Sequence, residues 1–123
     1  MIDWRAVTVG FLTIMGLGAV GLIIPGLGQL LAAVIGGAVA GYLAGGGLFR
    51  GSWHGLLAGS LGGFFIAVLV WIVISIVGLS LGPVAGAIGA ALGFGTFAII
   101  VLVSLIAAIE SALGGAVGGA LAG

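Results

Sequence analysis

Apolar positions in this chain run in long unbroken stretches punctuated by glycine and proline, as in Phe64 to Val77 (FFIAVLVWIVISIV). A segment inside hydrocarbon must satisfy its own backbone hydrogen bonds, so it forms a helix or part of a closed barrel. Barrel strands alternate apolar and polar residues, and these runs do not. Helices are predicted, each crossing in roughly 17 to 25 residues. The first span is expected from about Ala6 to Ile24, stopped by Ile24-Pro25-Gly26, since proline disfavours the helical conformation in the residue before it. The second is expected from about Leu27 to Leu43, ending at Gly45-Gly46-Gly47. The most polar stretch, Gly45 to His54 (GGGLFRGSWH), reads as a connection. A third span follows from about Gly55 to Val77, closed by Gly78 to Pro83.

The last forty residues are less regular. One helix from Pro83 to Gly123 would be about 60 Å long, roughly twice the hydrocarbon thickness. The expectation is a span from about Thr96 to Ala120. A short interfacial or re-entrant segment, Val84 to Gly95 (VAGAIGAALGFG), precedes it, and five spans are the alternative. The fold class expected is an all-α membrane protein with four transmembrane helices, forming one transmembrane domain over residues 1–123. The first apolar run is too long for a signal peptide and no A-x-A site follows, so it reads as an uncleaved anchor.

An internal repeat organises these spans. Ile35 to Gly45 (IGGAVAGYLAG) aligns with Leu113 to Gly123 (LGGAVGGALAG), identical at eight of eleven positions. More weakly, Trp4-Arg5, Gly10 and Leu12 align with Trp53-His54, Gly59 and Leu61. The pattern predicts two tandem hairpin repeats, about 4–45 and 53–123, pointing the same way in the membrane. Both termini then lie on one side with Arg5 and Arg50, which the positive-inside rule makes cytoplasmic in the cell membrane. Trp4, Arg5, Arg50 and Trp53 are the expected interfacial anchors, with Tyr42 on the same side.

Composition narrows the function. Of 123 residues 63% are hydrophobic and 3% charged, and two basic residues balance two acidic ones. Such a surface suits a lipid bilayer and lacks the basic patch of a nucleic-acid binder. Cysteine is absent, His54 is the single histidine, and Asp3 and Glu110 are the only carboxylates. No metal cluster, catalytic set or cofactor is expected, and no enzyme. A Ser52, His54, Asp3 set has no supporting spacing, and His54 reads as an interfacial residue. Gly45–Gly47 lacks the continuation of a phosphate loop.

Two features remain. Glycines recur four apart in Gly47-Gly51-Gly55-Gly59-Gly63, Gly37-Gly41-Gly45 and Gly115-Gly119-Gly123. Residues at this spacing share a helix face and let another backbone approach closely, the small-xxx-small signal of membrane helix packing. The helices are expected to pack as a glycine zipper. The same grooves are candidates for binding a second copy or a larger membrane complex. The other feature is Glu110, placed near the middle of the fourth span with no lysine to pair with. An ionisable group there is a candidate ion or proton site, with Thr13 or Ser60 as hydroxyl partners by depth.

The combination of Ile35 to Gly46, Trp53 to Gly59 and Leu113 to Gly119 resembles a family of small glycine-rich membrane proteins of salt-loving archaea, a domain of unknown function. That resemblance implies a four-helix membrane protein without naming an activity. Leu105 to Leu113 (LIAAIESAL) is also similar to the ion-carrying helix of rotary ATPase proteolipid subunits, which would make Glu110 the ion carrier and Ala32 its repeat counterpart. The turn Pro25 to Gln29 lacks the polar, basic loop of those subunits. The leading expectation is a non-enzymatic structural or accessory membrane subunit. The alternative is an ion or small-solute pathway through Glu110.

Overall fold

Asp3 starts the first helix: its Oδ1 accepts from the Ala6 N–H at 3.2 Å, satisfying one of the donors a helix N-terminus leaves unpaired. The computed structural model describes residues 2–123 and contains, among them, four helices: α1 (Trp4–Gly21), α2 (Leu27–Ala44), α3 (Leu48–Ser80) and α4 (Pro83–Ala122). Helix α1 stops at Gly21, three residues before the expected end, and Leu22, Ile23 and Ile24 continue in tighter i−3 bonds ahead of Pro25. Helices α1 and α2 have 18 residues each, about 27 Å at 1.5 Å per residue.

Two expectations about the second half are corrected. The ten-residue connection Gly45–His54 shrinks to Gly45, Gly46 and Gly47, all at positive φ, and α3 begins at Leu48. Arg50, Ser52, Trp53 and His54 are therefore in the first two turns of a helix. The separate segment at Val84–Gly95 does not exist either, and there is no fifth span among the described residues: α4 runs unbroken for 40 residues. Glycine is a poor helix former, but here packing decides. A Cβ at Gly86 would meet Leu79 at 2.9 Å, at Gly89 the Gly78 Cα at 3.1 Å, and at Gly93 the Trp71 ring at 2.7 Å. The length argument failed because α3 overshoots too: its 33 residues make about 50 Å. Paired helices that both exceed the slab are accommodated by tilting. Their reversal falls at Gly82, whose φ of +124° disfavours any side chain, and Pro83 occupies the first turn of α4, where its missing N–H costs nothing.

The helix order makes α1 parallel to α3 and α2 parallel to α4. The starts of α1 and α3 and the ends of α2 and α4 share one end, the base, where Asp3 meets His54 and Gly119 meets Gly47 and Gly51. Helices α1 and α4 each pack on α2 and α3, but not on each other. An apolar crevice of about 500 Å³ separates them, lined by Met15, Leu22, Ile66, Ile99 and Val103. Beyond the α1–α2 turn, α3 and α4 continue alone to the tip. There the rings of Trp71, Phe94 and Phe97 pack at centroid distances of 5.5 to 6.0 Å, and Trp71 Nε1 donates across to the Ala90 carbonyl at 3.3 Å.

Candidate functional site

Hydroxyls buried in a helix can return to their own backbone or cross to another helix. Thr8, Thr13, Ser75, Ser80, Thr96 and Ser104 return to carbonyls three or four residues earlier. Thr13, expected as a partner for Glu110, is thus bonded to the Val9 carbonyl, and Ser60 is exposed. Ser111 crosses: it is fully buried and its Oγ donates to the Gly55 carbonyl at 2.7 Å. Gln29 also crosses, donating to the Gly18 carbonyl at 3.0 Å.

Ser111 is the hub of the base. A Cβ at Gly37 or Gly55 would strike the Ser111 carbonyl, and one at Gly59 would lie 2.7 Å from the Ser111 Cβ. One turn on, Gly115 meets Gly41 of α2 and Gly51 and Gly55 of α3. A further turn brings Gly119 onto Gly47 and Gly51, while Gly63 abuts the Ser104 side chain. Each of these glycines therefore lies against a neighbouring helix of the same chain. Gly45 is different: its φ is +58° and nothing lies within 4 Å of the Cβ position, so it closes α2 and does not pack. Ser111, Gly114 and Gly118 were missed in the sequence. Gly114 lies on Val34 and Gly118 on Ala38. Ser111 extends the Gly115-Gly119 spacing by one step, a signal that was legible.

Glu110 is half-buried, beside Ser111 and about 18 Å along α4 from its last residue. The four expected anchors lie at the base: Trp4 and Trp53 are 61% and 48% exposed, and Arg5 and Arg50 are exposed too. His54, expected at the interface, is instead 0% exposed. The Asp3 N–H donates to its Nε2 at 2.8 Å, and its Nδ1 lies 2.7 Å from the Arg50 carbonyl. Glycine at 51 and 55 draws the first turns of α3 onto α4, which carries His54 inside. Among the described residues no three of His, Cys, Asp and Glu gather closely enough to hold a metal ion.

Four helices, each long and apolar enough to cross a membrane, with both arginines at one end, define a multi-pass membrane protein. Residues 4–121 match a family described as of unknown function, DUF5518, and the chain belongs to that family. No curated protein and no solved structure matches it.

Proposed function

We propose that the protein is a non-enzymatic structural or accessory membrane subunit, a glycine-zipped bundle of two tandem hairpins. The observation that carries this reading is where its small and polar residues go. The glycine ridges that had been candidates for docking a partner are filled from within the chain, and Ser111, Gln29, His54 and Trp71 each spend hydrogen bonds between helices. Association with a second copy or a larger complex then falls to the outer apolar faces.

The repeat reading is supported by register. Gly10 faces Ala58 and Ile14 faces Gly62, each pair 48 positions apart, while the repeat places Trp4 and Trp53 49 apart. Between α2 and α4, Gly41 faces Gly115 at a separation of 74 and Ala38 faces Gly118 at 80, bracketing the repeat separation of 78 between Gly37 and Gly115. Equivalent positions thus meet at similar depth, as hairpins repeated side by side in the same orientation would. Arg5 and Arg50 at the base support, by the positive-inside rule, reading that end as the cytoplasmic one in the cell membrane.

A second reading, an ion or proton pathway, is favoured by one observation: a half-buried carboxylate at Glu110 within a span. Two experiments divide the readings. Native mass spectrometry of the protein released from its own membrane should recover it with a stoichiometric membrane partner. In vesicles, wild type and Glu110→Gln should show the same ion leak. A closed homo-oligomer with flux abolished by Glu110→Gln would replace the structural reading by the pathway.

A further inference from the structure

We propose that His54 is a proton-sensitive clasp, which ties the start of α1 to α3 while its ring is neutral and opens when the ring takes up a proton. The ring is fully buried and both nitrogens are engaged. A main-chain N–H only donates, so Nε2, 2.8 Å from the Asp3 nitrogen, is a bare acceptor. A carbonyl only accepts, so Nδ1, 2.7 Å from the Arg50 oxygen, carries the proton. These two bonds are compatible with the neutral ring in one tautomer and with no other form.

Adding a proton places N–H against N–H at the Asp3 contact and leaves a charge on a buried ring, which is costly unless it is paired. The titratable and charged groups of the surrounding elements are Asp3 and Arg5 on α1, Tyr42 on α2, Arg50 on α3 and Glu110 further along α4. The arginines oppose a further positive charge. Glu110 sits at the depth of His54, since its neighbour Ser111 donates to the Gly55 carbonyl, but the two ring nitrogens are taken by the Asp3 N–H and the Arg50 carbonyl. The Asp3 carboxylate, on the residue whose N–H already bonds the ring, is the partner at hand, and it is engaged in capping α1 through the Ala6 N–H. Turning it to the imidazolium uncaps the helix. By either route acid loosens the first turn of α1, where Ala6 and Val7 are both 0% exposed.

The test is amide hydrogen exchange by NMR on the intact chain in lipid nanodiscs, corrected for intrinsic rates. Protection of the Asp3 amide should fall roughly tenfold from about pH 8 to 5, the loss of one hydrogen bond. Asp3→Asn keeps the main-chain donor and should keep this step. His54→Gln offers an acceptor that does not titrate in this range, and should give a flat profile. A flat wild-type profile, or the same step in His54→Gln, overturns the proposal. Should His54→Gln fail to fold, the wild-type ring ¹⁵N shifts decide. The Nδ1–H tautomer at pH 8, becoming doubly protonated in step with Asp3 exchange, supports the clasp. The other tautomer, or a charged ring at pH 8, overturns it.

Discussion

The base and the tip of this molecule solve the same packing problem with different residues. At the base, α2, α3 and α4 meet through glycine: Gly115 lies against Gly41, Gly51 and Gly55, and Ser111 against Gly37, Gly55 and Gly59. At the tip, two helices meet largely through rings, with Trp71 set between Phe94, Phe97 and the glycine at 93. Lipid tails are as apolar as leucine, so burying apolar area gives helices little reason to associate in a membrane. Close van der Waals contact and interhelical hydrogen bonds remain. Glycine supplies the first by bringing backbones together, and a large flat ring supplies it by surface. The backbone route suits a crowded four-helix junction, where a side chain at Gly10 would collide with Ala40 at 2.5 Å and Ala58 at 3.2 Å. Two helices alone leave room for rings.

The comparison breaks most visibly at Gly115. Gly115→Val places a branched side chain against the Gly51 carbonyl and the Gly55 backbone of α3, which cannot swing away as side chains do. The expected loss is at or beyond the upper end of the roughly 1–3 kcal/mol typical of overpacking, read as loss of the folded monomer in a detergent thermal melt. Trp71→Ala should cost less, about 1–2 kcal/mol from ring contacts and the bond to Ala90. Its effect should stay local, with amide exchange rising in the tip of α3 and α4 and unchanged in α2. Ser111→Ala removes one cross-helix hydrogen bond and should cost only about 0.6 kcal/mol, since glycine contact persists around it. Gly95, exposed in α4 with nothing near its Cβ position, provides the counter-case. Gly95→Ala should raise stability by roughly 0.5–1 kcal/mol, which shows that the glycines matter by position and not by number.

Much of this was legible in the sequence, and the misses have physical causes. The reversals at Pro25-Gly26, Gly45–Gly47 and Gly82-Pro83 were readable because proline and glycine restrict or free the backbone locally. The start of α3 was misread because Arg50, Ser52, Trp53 and His54 look like a polar connection. Their helix exists because Gly51 and Gly55 dock on α4 and His54 accepts from the Asp3 N–H at the start of α1, contacts that no local pattern displays. The unbroken α4 was missed for a related reason. Helix length was judged against the slab, whereas the helix is sustained by Gly86, Gly89 and Gly93 lying along α3. At the candidate site, the glycine spacing pointed to packing faces, but not to which helix would fill them. His54 was assigned to the surface from its neighbours in sequence, and its burial is a tertiary fact.

The central claim is that α2 and α4 pack against each other within one chain, with their glycine faces filled internally. Ala38 and Leu121 line one groove between these helices, and the chain has no native cysteine. Cysteines introduced at both positions can be linked in native-like membranes by a short bismaleimide, with the labelled protein diluted in excess cysteine-free chain. A cross-linked monomer whose yield is unaffected by dilution is the predicted result. Cross-linked dimers that disappear on dilution, with no linked monomer, would show that these faces join separate chains and would contradict the account.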